Sequence, residues 1–150
     1  MKYEWGKYTW YLFHALAEKM NDTHFNKAYT KIISWVKLIC LHLPCPYCAE
    51  HASMLLNKYS LYHKIKNKEQ LKIFFFEFHN IVNNKTKKKR VTTDILNQYE
   101  SININKLLQL WNHNFVLNIQ DLHYFKKKND ILNVKKKVIK DINKHMYLFN

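Results

Sequence analysis

The chain has 150 residues, a formal net charge of +14, and 47% apolar residues. This length and composition predict one domain with a sizeable core and exclude an intrinsically disordered chain. One glycine and two prolines are too few for the turns of a sheet-rich fold, so an all-α fold is predicted. The positive charge would suit nucleic acid, an anionic membrane surface or an acidic partner, although most lysine-rich stretches are simply solvated surfaces.

Targeting signals and a disulfide framework are not evident in the sequence. No apolar run is long enough to span a bilayer, and the N-terminal residues lack a signal-peptide core. The expected location is therefore the cytoplasm or a virus particle. Three cysteines are too few for a disulfide-framework domain. We expect Cys45 and Cys48 to form a working pair and Cys40 to be a single buried thiol.

Four amphipathic segments predict a helical bundle. The first helix is predicted over 7–20 and the second over 25–43, where Pro44 ends it. Pro46 begins the third helix, and the fourth spans 68–84. The apolar stripes of the first two helices comprise Trp10, Phe13, His14 and Ala17, and then Ala28, Ile32, Trp35, Val36, Ile39 and Leu43.

Two further helical regions follow the basic run 87–90. Thr93 or Asp94 could cap a short fifth helix that reaches Tyr99. A helix beginning near 104 and a basic amphipathic helix over the last thirty residues form a C-terminal extension, 104–150, predicted to pack on the core or on a second subunit. Their apolar positions are Leu107, Leu108, Trp111, Phe115 and Ile119, and then Ile131, Val134, Val138, Ile142 and Met146.

The sequence Cys45-Pro46-Tyr47-Cys48 is the strongest chemical signal. Proline is tolerated at the first helical position, and a helix N-terminus lowers the pKa of a thiol placed there. Such a dithiol can cycle with its disulfide. The later sequence His79-Asn80-Ile81-Val82-Asn83 places polar side chains on a helix, where they could hold a planar, hydrogen-bonding cofactor. Together the two motifs indicate redox chemistry with a bound flavin.

Three alternatives compete for the cysteines. Cys-Pro-Tyr-Cys is also the active-site sequence of glutaredoxins, but their fold needs strands and a later cis-proline, and no proline follows Pro46. A zinc site could use Cys45, Cys48 and His51, with a fourth ligand from His14, His63 or His79. Structural zinc usually has a second tight pair of ligands, which is missing. The two thiols could also be inert and buried, although prolines flank Cys45 on both sides.

Helical spacing also groups the remaining polar and aromatic candidates. Trp10 and His14 lie four residues apart, as do His79 and Asn83, so each pair can face one ligand. Aromatic faces stack on flat rings, and nearby lysines can neutralise a pyrophosphate; the candidates are Lys85, Lys87 and Lys88. Trp10 could equally be a core aromatic residue, and the two histidines could be hydrogen-bonded core residues.

Three motifs together resemble the Erv/ALR family of FAD-linked sulfhydryl oxidases. They are the segment 5–14 (Trp-Gly-Lys-Tyr-Thr-Trp-Tyr-Leu-Phe-His), Cys45-Pro46-Tyr47-Cys48 with His51, and His79-Asn80-Ile81-Val82-Asn83 followed by Lys88. The resemblance covers roughly residues 5–100, and the motif sequences are most similar to those of members encoded by large cytoplasmic DNA viruses such as African swine fever virus. It implies a four-helix bundle with a short fifth helix over 1–103, which binds FAD and usually forms a homodimer.

The resemblance also implies residue roles. Cys48 would lie against the flavin as the charge-transfer thiolate, and Cys45 would exchange with the substrate dithiol. The other residues that match cofactor contacts of the family are Gly6, Lys7, Trp10, His14, His51, His79, Asn80, Val82, Asn83, Lys88 and Tyr99.

Two departures from the family pattern stand out. No cysteine follows Cys48, so the structural disulfide and the shuttle cysteine pair common in the family are missing. Thr86 also replaces a usual leucine. Without a shuttle pair, a substrate such as a thioredoxin-like viral protein must reach Cys45 directly.

The predicted function is FAD-dependent oxidation of protein dithiols to disulfides, with oxygen as the electron acceptor and hydrogen peroxide as the product. The alternative is a non-enzymatic basic helical module that binds nucleic acid. A yellow protein with a flavin spectrum would distinguish the first from the second.

Overall fold

The computed structural model describes residues 4–58, 65–116 and 125–150. Its six α-helices in these ranges are α1 (Trp5–Lys19), α2 (Phe25–Leu41), α3 (Pro46–Lys58), α4 (Lys68–Lys85), α5 (Ile104–Asn114) and α6 (Phe125–Lys144). Three short 3₁₀ helices occupy Asp22–His24, Thr93–Tyr99 and Met146–Leu148. The described residues contain no β-strand, which confirms the predicted all-α fold.

The predicted boundaries of the first four helices agree with the structure to within two residues. Pro46 begins α3, where its missing N–H costs no hydrogen bond. The Asn67 side chain accepts a hydrogen bond from the Gln70 amide and so caps α4, an end that the sequence analysis left without a cap. The cap expected at Thr93 or Asp94 is wrong, because Thr92 precedes that 3₁₀ helix and its side chain makes no capping hydrogen bond.

The C-terminal segment packs on the bundle. Helix α5 lies against α1, and α6 lies against α2. The buried Trp111 Nε1–H donates to Thr9 Oγ1 at 3.1 Å, and the Trp35 Nε1–H donates to Asp141 Oδ2 at 2.7 Å. Both bonds join residues far apart in sequence, so they fix α5 and α6 in place.

The predicted stripe of α6 is confirmed as far as Ile142. Its members Ile131, Val134, Val138 and Ile142 are buried. Met146 is only half-buried and lies beyond the end of α6, in the last 3₁₀ helix. Of the α5 stripe, Phe115 is buried just after the helix ends, and Ile119 lies outside the described residues.

Helices α1, α2 and α4 supply most of the bundle core. Phe13 stacks on Phe75 with ring centroids 5.7 Å apart, and Leu12, Leu16, Ile32 and Leu71 are fully buried. None of the described helices is long and apolar enough to cross a membrane.

Candidate functional site

The two cysteines of the central motif form a disulfide at the start of α3. Cys45 and Cys48 are joined, with their Cα atoms 5.1 Å apart. The Cys48 amide donates to Cys45 Sγ at 3.2 Å, and the Ala49 amide donates to the Cys45 carbonyl at 2.9 Å. Cys45 therefore caps the helix, and the N–H groups of the first turn lie beside its sulfur. That environment favours a thiolate once the bond is reduced.

A cavity of about 580 Å³ opens beside this disulfide, between α1, α2, α3 and α4. Its volume is in the range of small-molecule and cofactor sites. Cys48 lines it, whereas Cys45 does not. Nine of the residues singled out in the sequence line it together: Gly6, Lys7, Trp10, Cys48, His51, His79, Val82, Asn83 and Lys88.

Three of the predicted cofactor contacts lie behind the cavity wall. His14, Asn80 and Tyr99 are buried and do not line the cavity. Tyr99 stacks on the His14 ring with centroids 5.1 Å apart and planes 25° apart. These three residues are placed to support the lining, and a direct contact between any of them and a ligand remains a prediction.

The two asparagines of the second motif hold the basic loop that follows α4. The Asn80 side chain accepts from the Val91 amide at 2.8 Å and donates to the Val91 carbonyl at 3.0 Å. The Asn83 Nδ2 donates to the Lys89 carbonyl at 3.1 Å. These bonds satisfy backbone groups of the loop and attach it to α4.

The same loop begins with a Schellman helix ending. The Lys88 amide donates to the Asn83 carbonyl at 2.8 Å, and the Lys87 amide donates to the Asn84 carbonyl at 3.3 Å. Lys87 has a φ of 58°, in the left-handed region that favours glycine at this position. The turn brings Lys88 and Lys89 to the cavity rim.

Positive charge is concentrated at that rim. Lys7, Lys88 and Lys89 line the cavity, and Lys7 also lies 3.7 Å from the Glu4 carboxylate. Lys85 and Lys87, which were expected to neutralise a pyrophosphate, do not line it. The rim can therefore attract an anionic group such as a phosphate. Of the three lysines predicted for this role, Lys88 lines the cavity.

Aromatic rings form one wall of the cavity. Trp10 stacks on His79 with centroids 4.2 Å apart and planes 11° apart, and Trp10 meets Phe78 edge-on at 5.2 Å. Flat apolar surfaces of this kind suit a planar ring system. Trp10 is thus a lining residue rather than a fully buried core residue.

A buried pair of histidines lies behind that wall. His14 Nε2 and His79 Nδ1 are 3.0 Å apart. Burial lowers the pKa of His14 to about 3, with a further contribution from His79. Burial also lowers the pKa of His79 to about 4, helped by the charge of Lys88. Both rings are therefore neutral at physiological pH.

His51 belongs to the cavity but has a different environment. It lies on α3, one turn after Cys48, and lines the cavity. Its pKa is lowered, first by partial burial and second by the charge of Lys85. A neutral imidazole beside the redox cysteines can accept or donate a hydrogen bond.

Several lining residues are not among the cofactor contacts predicted from the sequence. Phe78, Thr86 and Lys89 line the cavity, as does the buried free thiol of Cys40. Burial raises the pKa of Cys40, so this sulfur is a neutral thiol. Helical spacing could have identified Phe78, which lies four residues before Val82 on α4, whereas the Schellman turn that places Lys89 has no glycine to signal it.

The described part of the chain contains no cluster of side chains that could bind zinc. Within 4–58, 65–116 and 125–150, no group of three or more His, Cys, Asp or Glu side chains could hold a metal ion. Cys45 is bonded to Cys48, and His14 is hydrogen-bonded to His79. His63, the remaining candidate ligand, lies outside the described residues.

Comparisons with known proteins identify the family of the chain. The model of the Erv1 / Alr family matches residues 7–106. An FAD-linked sulfhydryl oxidase of African swine fever virus (isolate Tick/Malawi/Lil 20-1/1983) is 32% identical over 104 residues, which are 69% of this chain and 86% of that protein. The protein of the same name from isolate Warthog/Namibia/Wart80/1980 is 33% identical over 97 residues, 64% of this chain and 80% of that protein.

A relative from Invertebrate iridescent virus 3 is 31% identical over 87 residues. That match spans 58% of this chain and 59% of the relative, less than two thirds of its length. No solved structure matches the chain.

Proposed function

The chain belongs to the Erv1/Alr family, and on that premise we propose that it is an FAD-linked thiol oxidase that forms disulfides in protein substrates. The observation that carries the proposal is the position of the Cys45–Cys48 disulfide at the mouth of the cavity. One sulfur of the pair lines the cavity and the other lies outside it, so electrons can enter on one side and leave on the other.

The residues of the cavity fit FAD. Trp10 and Phe78 offer flat apolar surface, and His79 and Asn83 offer hydrogen-bonding groups. The rim lysines Lys7, Lys88 and Lys89 would meet the negative charge of a pyrophosphate. FAD, when bound, supplies the two-electron acceptor that a thiol oxidase needs and passes the electrons on to oxygen.

The cysteines carry out the exchange steps. A substrate thiolate attacks Cys45 Sγ, the Cys45–Cys48 bond breaks, and Cys48 leaves as a thiolate. The second substrate thiol then attacks the mixed disulfide at the substrate sulfur, and Cys45 is released. The substrate departs oxidised, and its two electrons now reside in the Cys45/Cys48 dithiol. Cys48 lines the cavity and Cys45 does not, which supports this division of roles.

The substrate is a protein dithiol that reaches Cys45 directly. Tyr47, between the two cysteines, is 62% exposed, and Met54 and Leu41 are exposed as well. We propose that these exposed apolar side chains contact the docked substrate. A thioredoxin-like viral protein is a suitable substrate, in the host cytoplasm or the virion. We also propose that the protein forms a homodimer, which analytical ultracentrifugation can test.

The decisive experiment combines a spectrum with two substitutions. The purified protein should show flavin absorption and should oxidise dithiothreitol while consuming oxygen and producing hydrogen peroxide. Cys45→Ser and Cys48→Ser should each abolish turnover while flavin stays bound. Cys40→Ser should still turn over, because Cys40 is outside the disulfide. A colourless protein, or full turnover by Cys45→Ser, would disprove the proposal.

A further inference from the structure

We propose that His14 is a positioning residue, which fixes His79 in the tautomer that presents an Nε2–H donor to the cavity. The inference rests on the proposed function for the identity of the ligand. It assigns His14, which does not itself line the cavity, an indirect role through its neighbour.

The two imidazoles share one hydrogen bond in a dry environment. His14 Nε2 and His79 Nδ1 lie 3.0 Å apart, and the residues are 2% and 8% exposed. Because both rings are neutral, each has one N–H donor and one acceptor nitrogen. The shared proton therefore lies on either His14 Nε2 or His79 Nδ1. Its position decides which of the two outer nitrogens, His14 Nδ1 or His79 Nε2, carries a proton.

The outer nitrogen of His14 distinguishes the two arrangements. His14 Nδ1 is buried and has no hydrogen-bond partner. If His14 donates from Nε2, this orphaned atom is only a lone pair. If His79 donates from Nδ1 instead, the orphaned atom is an N–H. Buried N–H groups without a partner are rarer than unpaired acceptors, so the first arrangement is favoured.

The favoured arrangement determines what a ligand meets. His79 lines the cavity, and its Nδ1 is occupied by His14. The remaining nitrogen, Nε2, then carries the proton and requires an acceptor atom on the ligand, such as a carbonyl oxygen, a ring nitrogen or a phosphate oxygen. Both ring planes are held, since Trp10 stacks on His79 at 4.2 Å and Tyr99 stacks on His14 at 5.1 Å.

The tautomers can be measured directly by NMR. Protein labelled with ¹⁵N-histidine and loaded with FAD is examined at neutral pH through long-range ¹H–¹⁵N correlations, and spectra of His14 and His79 variants assign the signals. We expect both rings in the Nε2–H form. A His79 ring protonated at Nδ1, or at both nitrogens, would overturn the inference even if flavin is bound.

Two substitutions at His14 test the indirect role. His14→Gln keeps an N–H donor and should preserve the His79 tautomer and the FAD affinity. His14→Leu removes the donor, so the tautomers of His79 should mix and FAD should bind roughly 5–10-fold more weakly, the effect of one lost hydrogen bond. An unchanged His79 tautomer in His14→Leu would refute the role.

The wild-type spectrum decides the question even if His14→Leu fails to fold. A protein that binds no FAD would refute the proposed function, while the tautomers in the same sample would still be readable. The two failures are therefore distinguishable.

Discussion

Acid should destabilise this protein through the buried pair His14 and His79. Both rings are neutral in the folded state, with pKa values lowered to about 3 and about 4 from an unfolded value of 6.5. Below pH 6.5 the two histidines bind protons in the unfolded chain but not in the folded chain, so the stability of the fold decreases as the pH falls. The loss of stability begins near the unfolded pKa of 6.5, and for each histidine it ends at the pKa of the folded state.

The size of this effect follows from the pKa values. At pH 5 the solution is about 1.5 pH units below the unfolded pKa, and each unit corresponds to about 1.4 kcal/mol. Each histidine therefore costs roughly 2 kcal/mol, and the pair costs about 4 kcal/mol in the free energy of unfolding. This is a large share of the stability of a domain of this size.

Urea unfolding at pH 7 and pH 5, with saturating FAD, measures the loss. Carboxylates also titrate in this range, so the double variant His14→Gln/His79→Gln serves as the reference. The wild type should lose about 4 kcal/mol more than this variant. His24→Gln, which alters an exposed histidine that does not line the cavity, should behave as the wild type. Equal losses in the wild type and the double variant would refute the assignment of a neutral buried pair.

Two further predictions concern the framework around the site. Trp111→Ala should lower the free energy of unfolding by about 3–5 kcal/mol, because Trp111 is fully buried and joins α5 to α1. Leu110→Ala, at a neighbour that is 46% exposed, is the control. Equal losses of stability in thermal melts of the two variants would contradict the packing of α5. Lys87→Gly should raise stability by roughly 1 kcal/mol, because glycine relieves the left-handed φ of 58°; Lys87→Ala keeps the Cβ, so an equal gain in urea unfolding would exclude this cause.

The helices could be predicted because their signals are local. Pro46 and the apolar stripes of α1, α2 and α6 each depend on residues within a few turns of one another. The pairing of α5 with α1 could not be predicted in the same way, because the Trp111–Thr9 hydrogen bond joins residues 102 positions apart. Periodicity shows that Trp111 needs a partner, but it does not say which helix provides it.

The lining of the cavity was predictable where a motif residue faces inward. Gly6, Trp10 and Cys48, which the family resemblance matches to cofactor contacts, line it. The rim lysines were only partly predictable, because a run of lysines does not indicate where the backbone turns or which of its side chains face the cavity. The positive φ of Lys87 turns the run so that Lys88 and Lys89 reach the cavity and Lys87 does not.

Adjacent residues of one motif can serve a site in different ways. His79 lines the cavity, whereas the next residue, Asn80, makes both of its hydrogen bonds to the backbone of Val91. A substitution at either position can therefore reduce flavin content, one by removing a contact and the other by releasing the loop that contains Lys88. Flavin content alone cannot separate these causes. Hydrogen exchange of the loop amides can, because release of the Val91 amide exposes the loop while the loss of a cavity contact leaves it protected.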